Sequence, residues 1–434
     1  MKVIGVIAEF NPFHRGHEYL LAYAKKEANA DFVIVVMSGD FVQRGSPAIL
    51  NKFTRTQMAL TNHVDLVIEL PAVYATASAE YFARGAVGIL DKLGVVDELF
   101  FGSECGDTDK LHLAAMAKDV ETAAYQRALR ANLKSGLSYP LAHSNALTSD
   151  NSITFDKAII TKPNNILAIE YIRALAFWES SIKPMTIKRV GCGHHDSQLS
   201  EEGFCSATAL RKLLLTKASE SHQDNHLNRK INSNRNSHDT LLQGIIPFIP
   251  ANTLPFYPPA SHFIAENDFS SLLHYKLLSK SAAELSSYFD VSFDIANKIV
   301  KNLAGFTTFL DFAQLIKAKN LTYARVMRGL IHILLDIYDD DVTFYAEQGY
   351  IFYARILGFG ENAGDLLAEI KIRSTIPLIS KLAVADRILD SVGMKMLSKD
   401  IHAAHIYRST LYHKSGLPFR HECTVPVVLP FVPY

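Results

Sequence analysis

The sequence predicts an α/β fold: a Rossmann-like domain built on a parallel sheet, followed by a mostly α-helical C-terminal domain. Three observations carry this. Short β-branched apolar runs alternate with segments of helical period over the first hundred residues, the pattern of βαβ units whose sheet is buried on both faces. The chain has 434 residues, more than one hydrophobic core usually serves, so two domains are expected. From about Leu272 onward apolar residues recur at the spacing of amphipathic helices,.

The elements follow in order. KVIGVIA at 2–8 reads as the first strand, and a loop containing Pro12 and Gly16 follows it. Tyr19, Leu20, Tyr23 and Ala24 then recur at helical spacing. DFVIVVMSGD at 31–40 is a second strand, residues 51–62 a helix, VDLVIELP at 64–71 a third strand, residues 74–93 an Ala-rich helix, and VVDELFFGSE at 95–104 a fourth strand. Residues 108–180 read as mostly helical, and PMTIKRV at 184–190 is a candidate strand of the same sheet. SATALRKLLL at 206–215 reads as a helix entered through Ser206, a favoured N-cap type,. The stretch 217–243 is rich in Ser, Asn, His and charge. Such a composition buries too little apolar area to offset its ordering entropy, so a mobile insertion is expected between domains 1–216 and 244–434. Beyond it, residues 282–303, 309–316 and 323–338 are amphipathic, and Pro426, Pro430 and Pro433 keep the last residues extended.

Composition bounds the class of function. Lys plus Arg and Asp plus Glu number 44 each, so any polyanion site must be a local patch. Cys105, Cys192, Cys205 and Cys423 form no CxxC pair, which fits free thiols in a reducing compartment. No secretory leader pattern and no apolar run of bilayer length is present, so a cytoplasmic protein with no membrane partner is expected.

The chemistry is carried by EFNPFHRGHEYL, residues 9–20, directly after the first strand. A loop that leaves a strand's carboxyl end and enters a helix directs backbone N–H groups and a positive helix terminus into one crevice, where phosphates bind. Gly16 permits close backbone approach and Pro12 stiffens the turn. His14 and His17, three residues apart, are placed to donate hydrogen bonds to phosphate oxygens as charge builds on phosphorus. The competing reading is a pair of solvated capping residues.

On these residues the chain resembles the HIGH-motif nucleotidyltransferase superfamily, through HRGH at 14–17. More closely, it resembles the bacterial tRNA(Met) cytidine acetate ligase family over nearly its whole length. The resemblance rests on GVIAEFNPFHRGHEYLL, MSGDFVQRGSPAIL, NKFTRTQMAL, DLVIELP, FGSE, KPNNILAIEYIRAL, TIKRVGCGHHD and SATALRK, and on LTYARVMRGLIHILLDI and YARILGF near the C-terminus. It implies an ATP-dependent ligase that activates acetate as acetyl-adenylate and acetylates the wobble cytidine of elongator tRNA(Met), giving N4-acetylcytidine. ATP, acetate and that tRNA are the implied partners, Mg²⁺ the expected companion of ATP, and no protein partner is implied.

The resemblance also implies roles. Ile7, Ala8, Glu9, Phe10, Asn11, Pro12, Phe13, His14, Arg15, Gly16, His17, Glu18, Tyr19 and Leu20 wrap the nucleotide, with His14 and His17 catalytic. Gly102 admits the adenosine or is simply a turn; Asn164 meets a base or ribose or is a helix cap; Arg189 neutralises phosphate or is a surface strand residue. Ser206, Thr208 and Arg211 resemble the second superfamily motif, which closes over pyrophosphate. Cys205 before the Ser, and Arg15 inside the HxGH loop, depart from the usual pattern without removing a functional group. Lys317, Lys319, Arg325 and Arg328 form either a solvated face or a tRNA phosphate patch,.

Two clusters invite a metal and are read otherwise. Cys192, His194 and His195 lack a fourth partner at zinc spacing,, and Asp339, Asp340 and Asp341 read as a solvated helix end, so no protein-held metal is expected. Two other functions compete: a small-molecule adenylyltransferase of the same superfamily, against which the long helical half argues, and a non-catalytic nucleotide- or RNA-binding module, against which the intact His14, His17, Ser206, Thr208 and Arg211 argue.

Overall fold

The computed structural model describes residues 1–119, 123–137, 142, 145–146, 156, 158–189, 205–227, 242, 244–318 and 321–430. Its centre is a seven-stranded sheet in the order β7-β6-β1-β2-β5-β8-β9. The strands are β1 (Val3–Ala8), β2 (Phe32–Ser38), β5 (Leu66–Leu70), β6 (Glu98–Ser103), β7 (Lys183–Lys188), β8 (Ala354–Phe359) and β9 (Leu378–Ile379), and a small hairpin of β3 (Phe41–Val42) and β4 (Ser46–Pro47) stands apart. Pairing is parallel from β7 to β5, and β8 then runs antiparallel to β5. From β1 the chain builds one side of the sheet with β2 and β5, and returns to the other with β6 and β7. The strand order therefore reverses beside β1, the place where open α/β sheets leave a ligand crevice.

The longer helices described in the first half are α1 (Arg15–Glu27), α2 (Lys52–Leu60), α3 (Ala79–Lys92), α4 (Thr108–Asp119), α5 (Ala123–Lys134), α6 (Pro163–Phe177) and α7 (Ala207–Leu227). Those of the second half include α8 (Ser270–Leu278), α9 (Phe293–Asn302), α10 (Phe309–Ile316), α11 (Tyr323–Leu335), α12 (Asp339–Glu347), α13 (Gly364–Arg373) and α14 (Ser391–Ser415). The period-2 alternation of β1 divides two cores. Ile4 and Val6 face Leu21 and Ala24 of α1, Met58 and Ala59 of α2 and Leu210 and Leu214 of α7. Val3 and Ile7 face Ala83, Val87 and Leu90 of α3 and Ile169 and Ile172 of α6, and this second core continues into α8–α12.

Three expectations need correction. The chain after Leu272 is not helical throughout, because β8 and β9 extend the sheet of the first half, and Val428 of the tail bonds to both Leu357 and Phe359. The polar stretch from 217 does not begin as a loop, since α7 continues to Leu227; residues 228–241 lie outside the described ones. The solvated helix end expected of the acidic run holds for Asp339 and Asp340, which are exposed, and fails for Asp341; the three form the first turn of α12, where carboxylates favour the helix dipole,. Asp341 is buried between Lys395 and Lys399, each at 2.9 Å. Among the described residues no helix is long and apolar enough to cross a membrane.

Candidate active site

The crevice at the carboxyl end of β1 is built by backbone hydrogen bonding. His14 is the N-cap of α1, with extended backbone, and its Nδ1 accepts the Gly16 N–H at 3.1 Å. The His14 N–H donates in turn to Nδ1 of His17 at 3.3 Å. Both Nδ1 atoms are therefore acceptors, so the proton of each neutral ring sits on Nε2. The two rings stack at 3.7 Å and 18°, and Phe10 meets His17 edge-on at 5.0 Å. Burial, then Arg189, depresses the pKa of His14 to about 3. Burial, then His14 and Arg189, holds His17 well below the ordinary imidazole range. The pair is neutral at physiological pH, and each ring keeps one Nε2–H donor.

The rest of the loop is tied down from several sides. Phe10 takes a left-handed backbone (φ 47°), and the Asn11–Pro12 bond is cis. Asn11 Oδ1 accepts the Ile49 N–H at 2.9 Å, and the carboxylate of Glu9 accepts the Gln43 N–H at 3.0 Å. Phe13 is buried, while Arg15 is exposed. Ile7 and Ala8 end β1 and so place the loop; Glu18, Tyr19 and Leu20 lie further along α1, with Tyr19 turned to solvent.

The structure brings the SATALR segment to this loop. Ser206 Oγ accepts the Ala209 N–H at 3.1 Å and caps α7 as expected. Arg211 donates to the Asn11 carbonyl at 2.7 Å and to Thr208 Oγ1 at 3.2 Å. The Arg211 guanidinium is thus fastened to the loop that carries the two imidazoles. On the opposite side, the Arg189 N–H continues the β7 pairing by donating to the Ser103 carbonyl at 2.9 Å. Gly102 lies within β6 and not in a turn, and it has a packing reason: a Cβ there would lie 3.1 Å from Cγ of Arg189. The missing side chain makes room for the arginine that faces the histidines.

Asn164 is engaged with a residue the sequence did not single out. The Glu104 carboxylate accepts the Asn164 side-chain amide at 2.8 Å and the backbone N–H groups of Asn164 and Asn165, capping α6 from outside. Asn165 Oδ1 returns the contact by accepting the Glu104 and Cys105 N–H groups. Arg55 was also missed. Fully buried in α2, it donates to the carbonyls of Glu9 (2.6 Å), Ser38 (3.0 Å), Leu50 (2.9 Å) and Gly39, joining the nucleotide loop to the end of β2. The only sequence signal was a cation inside an otherwise core-facing helix.

The basic residues of the second half are not equivalent. Lys317 is exposed with its ammonium 6.0 Å from the Tyr323 ring centroid, and Lys319 lies outside the described residues. Arg325 is 45% exposed, whereas the Arg328 side chain is 11% exposed and bonds Asp290 at 2.7 Å. Cys192, His194 and His195 lie outside the described residues.

Comparison with known proteins gives the family. A family model described as HIGH Nucleotidyl Transferase matches residues 1–418. A tRNA(Met) cytidine acetate ligase of Thermoanaerobacter sp. (strain X514) is 38% identical over 429 residues, covering 97% of this chain and 99% of the relative. The chain belongs to the tRNA(Met) cytidine acetate ligase family. A member from Lysinibacillus sphaericus is 34% identical over 95% of each chain. The solved Thermotoga maritima TmcAL bound with alpha-thio ATP superposes with a TM-score of 0.83 at 27% identity, over 99% of this chain and all of that one. Its apo form gives 0.86. Family membership thus extends over the sheet, the crevice and the helical half together.

Proposed function

We infer that this chain is an ATP-dependent acetate ligase acting on the wobble cytidine of elongator tRNA(Met). A carboxylate oxygen of acetate attacks the α-phosphorus of ATP, the bond to the β-phosphate oxygen breaks, and pyrophosphate leaves. The N4 amine of cytidine then attacks the acetyl carbon, releasing AMP and a proton and forming N4-acetylcytidine. The observation that carries this reading is the stacked neutral pair, His14 and His17, with two Nε2–H donors at the switch point and the guanidiniums of Arg189 and Arg211 close by. Such donors act where charge develops on a transferring phosphorus, and acetate itself is the nucleophile, so the protein needs to supply none.

The remaining assignments follow the same reading. Residues 7–20 hold the nucleotide, with Gly102, Asn164 and Arg189 on the β6–β7 side and Ser206, Thr208 and Arg211 over the pyrophosphate. Mg²⁺ usually rides on polyphosphate oxygens and several waters, with one or two carboxylates at most. Among the described residues no three His, Cys, Asp or Glu form a cage, and Glu9 and Glu104 are already bonded to backbone N–H groups. An ATP-borne Mg²⁺ fits this donor set better than a protein-held one. It would neutralise phosphate charge. We place adenylation in the first half and most of the tRNA-holding surface in the second, and the enzyme in the cytoplasm.

The test is acetate-dependent pyrophosphate–ATP exchange without tRNA. Exchange that requires acetate and is not supported by a phosphate ester establishes the first half-reaction; tight ATP binding with no exchange would leave only a binding module.

A further inference from the structure

Resting on the ligase reading, we propose that Arg44, at the tip of the β3–β4 hairpin, is the acceptor-side phosphate ligand that holds the tRNA strand beside the acetyl-adenylate. The argument begins with topology. In the ligase reading the nucleotide lies toward Gly102, Asn164 and Arg189, which the strand order puts on the β6–β7 side of β1. The acceptor amine must reach the acetyl carbon from the other side, where β2 ends. There the chain turns up into the hairpin instead of entering a helix directly.

The hairpin is fastened at both ends of a path. Toward the nucleotide, the Gln43 N–H donates to the Glu9 carboxylate at 3.0 Å. Away from it, Gly45 lies directly on the backbone of α11: a Cβ there would sit 2.3 Å from the Arg328 nitrogen and 2.5 Å from the Met327 carbonyl carbon. Its φ of 72° is the left-handed turn that glycine accepts most readily,. The hairpin therefore bridges the crevice and the helix that carries Arg325. Between these two anchors Arg44 is exposed while Phe41, Val42, Gly45 and Pro47 are buried. Burial is the main cause that lowers the pKa of Arg211; Glu9 and Glu266 act against it, and Arg44 adds a smaller effect in the same sense as burial. A polynucleotide running from α11 to the crevice passes the exposed Arg44 on the way. Arginine suits this task, because its planar fork binds phosphate through paired hydrogen bonds.

The experiment separates the half-reactions in the full chain, using Arg44→Ala and Arg44→Lys with acetate, ATP and unmodified tRNA(Met). Acetate-dependent exchange should stay within about twofold, because Arg44 is exposed and burial, Glu9 and Glu266 all act more strongly on Arg211 than it does. The kcat/KM for acetyl transfer to tRNA should fall about 10- to 100-fold in Arg44→Ala, the range of one charge-assisted hydrogen bond. The log–log salt slope of tRNA binding should flatten by roughly one unit, with partial recovery in Arg44→Lys. Unchanged transfer in Arg44→Ala overturns the proposal, and so does an equal loss of exchange, which would put Arg44 on the nucleotide side. No exchange in the unaltered protein would instead overturn the ligase reading on which the proposal rests.

Discussion

His14 and His17 act through one atom each. Because both Nδ1 atoms accept backbone N–H groups, an Ala at either position removes an Nε2–H donor and also loosens the start of α1. Losing one donor to a developing oxyanion typically costs about 10²–10³ in rate, so each variant should lose that much acetate-dependent exchange while still unfolding cooperatively. Unchanged exchange in both would rule out the role. The pH dependence has a definite sign. His14 is depressed to about 3 from an ordinary value of 6.5, so between those limits the unfolded chain binds a proton that the folded one refuses. Stability is therefore at its full value above 6.5 and declines as pH falls from 6.5 toward 3. Correspondingly, kcat/KM for ATP should show no ionisation near 6.5, since the free enzyme's pair is already neutral there. A limb near 6.5 that disappears in His17→Ala would contradict this. The residue-level chemistry was legible in the sequence because HRGH and SATALR are local words. Glu104 and Arg55 were not, since the contacts that tie them to the site, Arg55 with Glu9 and Glu104 with Asn165, span 46 and 61 residues.

At the scale of elements, the tail closes the sheet by charge. Lys52 meets Glu69 at 2.7 Å, Glu422 at 2.6 Å and Asp40 at 3.9 Å; Arg355 meets Glu69 and Glu422 at 2.6 Å each, and Arg408 meets Glu422 at 2.7 Å. Burial alone would raise the pKa of Glu422, but Lys52, Arg355 and Arg408 hold it well below the ordinary carboxylate range. Removing one member of a buried charge cluster leaves the others uncompensated, at about 3–5 kcal/mol. Glu422→Ala should lose that much stability in denaturant titration at pH 7. The difference should shrink as pH falls below the ordinary carboxylate range, where the native carboxylate's contribution is lost. A loss under 1 kcal/mol would show that the cluster is already solvated. Sequence reading found β1, β2, β5 and β6 because continuous β-branched runs announce buried strands. It passed over β8, since ARILGF is too short for periodicity to choose between strand and helix, and its partner β5 lies nearly three hundred residues earlier.

Across the whole molecule the two halves share one core but are expected to divide the work. Arg325→Glu, at an exposed position, should weaken tRNA binding and flatten its salt dependence by roughly one unit, with exchange unchanged. Arg328→Glu should instead destabilise the fold, because it sets two carboxylates together where Arg328 now pairs with Asp290,. Sequence alone treated these two arginines as a pair, since helical spacing shows a shared face and not which side chain is buried. Equal tRNA defects with equal stability would return them to one patch. The central claim, acetate activated on ATP and delivered to cytidine, is tested most directly by mass spectrometry of tRNA nucleosides after incubation with ATP, Mg²⁺ and isotopically labelled acetate. The account predicts labelled N4-acetylcytidine at the wobble position of elongator tRNA(Met), absent without ATP and absent in His14→Ala. Acetate-dependent pyrophosphate release with no label in any tRNA nucleoside would contradict it.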